Sequence, residues 1–173
     1  MSRFYIYKEV EALVRRYGTR DPFAIMQAMG IRLKRYNDLN TTKGFTRYFL
    51  RLYFVGLNDR LPEVEQRIVA AHELGHIILH SPQLREGPML DTAIYDMRSA
   101  TEYDANMFAA DLLLSDEDVE EAMRQEDISY DALCRSLYTT PDLMSFKLFS
   151  MKYRGSRCPI PQECNSRFLA GTE

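Results

Sequence analysis

Three ionisable side chains interrupt an otherwise apolar stretch. Residues 68–80 read Ile-Val-Ala-Ala-His-Glu-Leu-Gly-His-Ile-Ile-Leu-His, and from Ile68 to Leu79 only His72, Glu73 and His76 are polar. A helix that is apolar all round is a buried helix. Burying two imidazoles and a carboxylate without partners costs several kcal/mol, so something must satisfy them. His72 and His76 lie at i and i+4, one turn apart on one face, where both rings can reach one ion. Glu73 is rotated by about 100° from His72. It can stand beside a metal and handle a water proton without being a ligand. This H-E-x-x-H spacing points to zinc held by His72 and His76, with Glu73 as catalytic base. The competing reading is a chance match on a core helix.

Catalytic zinc takes three protein ligands and keeps one open position. His80 is the remaining histidine. It lies on the same helix, about 12 Å along the axis from His72, so it is expected beside the site as an outer partner. The third ligand must come from another element. In residues 100–114, Glu102, Asn106, Ala109 and Leu113 share one helical face, with Ala105 and Leu112 beside them. Asp104 and Asp111 fall opposite, and Asp104 is expected to face water. Glu102 is therefore the expected third ligand and Asp104 the fallback. Asn106, one turn on, can hydrogen-bond a ligand histidine. The small Ala105 and Ala109 let the two helices approach closely. One zinc per chain is expected.

The elements that must hold these residues can be read around them. Residues 4–17 have helical spacing and stop at Gly18; Asp21-Pro22 starts a short helix that ends at Gly30. Residues 31–36 partly alternate, as a strand does, and 37–44 are turn-like. Residues 45–57 are too long for one typical strand and predict two, bending near 49–51. Pro62 opens the motif helix, with Glu63 and Glu65 in its first turn. It runs to about His80. Residues 81–98 read as an irregular loop. Helices follow at about 100–114, after Ser115, at 129–138 and at 141–153. The expected class is α+β, with a small antiparallel or mixed sheet packed on the motif helix and a helical C-terminal half. The expected division is a core at 1–115, a helical part at 116–154 and an irregular tail at 155–173.

The 173 residues are 46% apolar and 27% charged, ordinary for a globular chain with a real core. A net charge of -3 gives no overall nucleic-acid footprint, although a local basic patch is compatible with it. No apolar run is long enough to span a membrane. Residues 1–17 lack the apolar core of a signal peptide. Cys134, Cys158 and Cys164 are odd in number and form no C-x-x-C, which suits a reducing compartment, the cytoplasm.

With both helices in view, the chain resembles the ImmA/IrrE family of metallopeptidases. The resemblance rests on His-Glu-Leu-Gly-His-Ile-Ile-Leu-His at 72–80 and Glu-Tyr-Asp-Ala-Asn-Met-Phe-Ala-Ala-Asp-Leu-Leu-Leu at 102–114. It covers about residues 40–115. It implies a zincin-like core of the thermolysin type, with Glu102 as third ligand and Asn106 beside a ligand histidine. The family often has Glu where Asp104 stands, and Met-Pro where this chain has Leu114-Ser115. Relatives of this kind resemble anti-repressor proteases that cleave a helix-turn-helix repressor, so the resemblance implies a protein partner of that class.

The chemistry expected is peptide hydrolysis. Zinc acidifies water and polarises the scissile carbonyl, and Glu73 carries the proton to the leaving amine. Tyr95, Tyr103, Tyr138 and His80 are open candidates for stabilising the oxyanion. The strand at 52–57 is either sheet core or an edge that takes an extended substrate. The rival reading is a DNA- or protein-binding regulator with a structural metal site, built on the helix-turn-helix-like segment 129–153. The cations there are few, Lys147, Lys152 and Arg154, which argues against direct nucleic-acid binding by this segment.

Overall fold

The computed structural model describes residues 4–86, 89–91, 100–124 and 128–156. The N-terminal helix α1 (Phe4–Tyr17) buries Ile6, Val10 and Leu13. Asp21 caps α2 (Pro22–Ala28) by accepting from the Phe23 N–H, with Pro22 in the first turn. Three strands follow: β1 (Arg32–Tyr36), β2 (Gly44–Phe49) and β3 (Leu52–Asn58). The motif helix is α3 (Glu63–Leu79).

Two elements stand where a loop is expected at 81–98. Ser81–Glu86 forms a short helix, α4, and Met89–Asp91 a short strand, β4. The Ser81 hydroxyl donates to the Ile77 carbonyl, so the chain turns directly from α3 into α4 despite Pro82. β4 is recruited by pairing with β2, a long-range contact that a three-residue pattern cannot announce.

The sheet is mixed, in the order β1-β3-β2-β4. β1 runs parallel to β3, and β2 runs antiparallel to both β3 and β4. The bend between β2 and β3 is a two-residue turn. Phe49 pairs with Leu52, and Leu50 and Arg51 both have positive φ, 49° and 64°. Hairpin geometry demands that conformation and usually recruits Asn-Gly. Here it is adopted by ordinary residues at a cost of roughly 1–2 kcal/mol each, held by the pairing on either side. β3 lies between β1 and β2, so both its edges are taken. The expectation that residues 52–57 offer an edge to substrate is therefore corrected: this strand is sheet interior.

α3 packs on β2 and β3 and, on its other side, against α5 (Ala100–Leu113). Gly75 is what allows the helices so close. A Cβ there would lie 3.2 Å from the Ala105 Cα and 3.1 Å from the Phe108 ring.

Ser115 and Ser129 cap α6 (Asp116–Met123) and α7 (Tyr130–Ser136), and Thr140 caps α8 (Pro141–Tyr153). Residues from α6, α7 and α8 form a second apolar cluster beside the main core, around Val119, Leu133, Met144 and Met151. α8 is buried on several sides. Lys147 is fully buried against Asp111 and Asp116, and Arg154 pairs with Asp116. Two of the three cations that a DNA-reading helix would have used are thus committed inside the protein. Asp111, expected opposite the site on α5, is buried as well, because α8 covers that face. Among the described residues, no helix is long and apolar enough to cross a membrane.

Candidate metal centre

α3 brings His72, Glu73 and His76 to the α5 side of the sheet with no exposure at all. α5 brings Glu102, whose side chain is 17% exposed. His72 Nε2 lies 3.1 Å from His76 Nε2 and 3.2 Å from Glu102 Oε2, and His76 Nε2 lies 3.5 Å from Glu102 Oε1. Tetrahedral zinc at 2.0–2.1 Å from its ligands separates them by about 3.3 Å. The three donors therefore span a triangle of the size one face of that tetrahedron requires. The donor set fits as well. Two imidazoles and a carboxylate suit zinc, and nitrogen lone pairs facing each other at 3.1 Å need a proton or a cation between them.

The outer partners set the rings. His72 Nδ1 lies 2.8 Å from Asn106 Oδ1. An amide oxygen only accepts, so the ring donates from Nδ1 and turns its Nε2 lone pair to the cluster. His76 Nδ1 faces His80 Nδ1 at 3.3 Å. His80, itself buried, has Nε2 3.8 Å from Asp104 Oδ2. Asp104, the fallback ligand, thus stands behind His80 and outside the triangle. Among the described residues, the group able to hold a metal is His72, His76 and Glu102.

The sheet positions Glu73. The Thr46 hydroxyl donates to Glu73 Oε2 at 2.5 Å. A Cβ on Gly44 would meet Glu73 Oε1 at 2.6 Å and Val69 Cγ1 at 2.5 Å. Sequence reasoning missed Thr46, Gly44 and Gly75. One signal was available for Thr46: it is the polar residue between Gly44 and Tyr48 on one face of an alternating strand.

The oxyanion candidates are not gathered by this geometry. Tyr103 is buried against Phe146 and Phe149 of α8. Tyr138 is 74% exposed on the turn before α8. His80 touches His76. Tyr95, like Cys158 and Cys164, lies outside the described residues.

Comparison with known proteins bears on this site. The family Peptidase_M78, described as the IrrE N-terminal-like domain, matches residues 25–139, a span that holds both site helices. An uncharacterized immunity region protein 2 of Bacillus phage phi105 is 30% identical over 111 residues, 62% of this chain and 66% of the relative. Metallopeptidase ImmA of Bacillus subtilis strain 168 is 28% identical over 120 residues, 68% of each chain. The match thus spans about two thirds of the length of either relative.

Proposed function

The chain belongs to the family of IrrE N-terminal-like domains, and on that premise we propose that it is a zinc-dependent endopeptidase acting on a protein substrate. The observation that carries this reading is the triangle of His72, His76 and Glu102 donors, with separations of 3.1, 3.2 and 3.5 Å, beside a fully buried Glu73. His72, His76 and Glu102 hold one ion. Zinc held there supplies Lewis acidity, acidifying water and polarising the scissile carbonyl.

The chain's own residues do the rest. Glu73 takes the proton of the attacking water on its carboxylate and delivers it to the leaving amine. Thr46 fixes the plane of that carboxylate from β2. Asn106 and His80 hold the two ligand rings. The fold around the site is zincin-like, of the thermolysin type. Residues 1–115 form the catalytic core, 116–154 a helical part packed on it and 155–173 a tail. The substrate is a helix-turn-helix repressor cleaved in the cytoplasm. The support for that is the resemblance of the two motifs to anti-repressor proteases and a relative named for a phage immunity region.

Elemental analysis tests the reading. Wild type and Asp104→Ala are expected to carry about one zinc per chain, and Glu102→Ala to carry none. Wild-type protein that neither carries nor takes up a transition metal overturns it.

A further inference from the structure

The face of the sheet turned away from α3 carries chemistry that the metal centre does not use. Strand alternation places Thr46 and Val55 toward α3 and their neighbours on the open face. That face holds Tyr36 of β1, Phe54 of β3, and Phe45 and Phe49 of β2. The Phe45 ring lies directly over Gly56, where a Cβ would come within 2.2 Å of it. It therefore lies against the sheet surface as a floor. Tyr36 stands beside it, with ring centroids 5.7 Å apart. Phe49 is 63% exposed.

A cavity of about 870 Å³ opens over these four rings, within the range of small-molecule sites. Its charged lining is mixed: Arg47 and Arg85 on one hand, Asp38 and Glu86 on the other. Among the described residues neither guanidinium is in an ion pair. Arg47 lies 5.9 Å from the Phe45 ring centroid and Arg85 lies 5.4 Å from that of Tyr48. Lys34, on the same face, sits over Tyr36 at 4.8 Å.

Aromatic planes take a flat ring, and guanidiniums take phosphate in paired hydrogen bonds. Carboxylates accept from ring and exocyclic N–H groups. A purely acidic peptide satisfies only the cations and meets Asp38 and Glu86 as like charges. We propose that this cavity binds a nucleotide unit, an aromatic base stacked on the Phe45 and Phe54 rings with its phosphate on Arg47 and Arg85. The net negative charge of the whole chain does not oppose this, because Lys34 and Arg47 are local to the face and Arg85 of α4 lines the same cavity. Phe45 and Arg47 flank Thr46 in β2, so the ligand rests one strand away from Glu73. The inference does not depend on the peptidase reading.

The shared chemistry, a base carrying phosphate, comes from a free nucleotide or from a single strand. Fluorescence anisotropy with a short labelled oligothymidylate, competed by thymidine monophosphate, tests it on the whole chain. Saturable binding is expected, weakened about tenfold or more by Phe45→Ala or by Phe49→Ser through lost stacking. Arg47→Ala is expected to weaken it and to flatten its salt dependence. Phe49 and Arg47 are exposed, so those two variants report even if Phe45→Ala fails to fold. Competition by the mononucleotide at the affinity of the strand identifies a free nucleotide. Tenfold tighter binding of the strand identifies single-stranded nucleic acid. No binding of either probe, binding indifferent to all three substitutions, or equal displacement by an oligoglutamate peptide overturns the proposal.

Discussion

Helix α5 carries carboxylates toward two neighbours, and the groups that meet them there differ in kind. Toward α8, Asp111 accepts from Lys147 Nζ at 3.1 Å and from the Ser150 hydroxyl at 2.8 Å. Lys147 reaches Asp116 at 2.6 Å, and Arg154 grips Asp116 with both arms, at 2.6 and 2.8 Å. Two carboxylates meet two cations, all supplied by the chain, and the network closes on itself. Toward α3, Glu102 and Glu73 meet two imidazoles and a threonine hydroxyl. With neutral rings the two carboxylates carry two negative charges, the complement of a divalent ion, beside the donor triangle of His72, His76 and Glu102. Both regions are buried polar clusters on one helix. What separates them is the donor set: ammonium and guanidinium groups on carboxylates in one, two imidazole nitrogens converging with a carboxylate oxygen in the other.

The sharpest break of this comparison is Glu73→Gln. It is expected to lower turnover of a repressor-type substrate by about 10²–10⁴-fold with zinc content unchanged. Retained cleavage would remove Glu73 from the chemistry. Next is Lys147→Met, which leaves Asp111 and Asp116 short of a buried cation. It is expected to cost ~3–5 kcal/mol in urea unfolding, again with zinc content unchanged in the folded protein. A change in metal stoichiometry there would mean that the two clusters are coupled through α5.

Smaller effects sharpen the same contrast. Asn106→Ala frees the His72 ring and is expected to weaken zinc binding by about 10–100-fold, read by competition with a chelating dye. An unchanged affinity would show that the amide does not orient the ligand. The smallest effect is acid sensitivity of the α8 cluster. Burial alone would raise the Asp116 carboxyl, but the Arg154 hydrogen bonds and Lys147 outweigh it and hold it at about 2, below the ordinary 3.8. Asp116 therefore contributes stability that is fully present above about pH 4 and lost as pH falls toward 2. Unfolding midpoints followed from pH 5 to 3 should fall further for the parent than for Asp116→Asn. Both proteins should carry Glu102→Ala, so that metal release does not contribute. Parallel slopes would remove Asp116 from the acid response.

The site was legible where local periodicity dictates geometry. A spacing of four on one helix placed His72 and His76 together, and the face of a second helix selected Glu102 and Asn106 over Asp104. The fold was legible to the same extent. Helical spacing placed α1, α5 and α8, an apolar run opened by Pro62 placed α3, and Asp21-Pro22 and Ser115 marked helix starts through their own stereochemistry. The turn at Leu50 and Arg51 was located by strand length alone, since neither residue favours it. β4 was invisible, because three residues carry no pattern and the strand exists only through its partner β2. In the sequence Lys147 reads as one of the few cations of a helix-turn-helix-like segment, and Asp111 as a residue on the α5 face opposite the site. Their burial follows from each other's presence, 36 positions apart.

By itself the sequence determined the order of the main helices, the pairing of the two site helices and the residue types facing between them, because these follow from side-chain chemistry at fixed helical spacing. The tertiary structure alone decided which strand is interior, that Thr46 and Gly44 border the Glu73 carboxylate, and that Asp111 of α5 finds a buried cation in Lys147. Those outcomes depend on contacts between segments distant in sequence, and no local rule fixes such contacts.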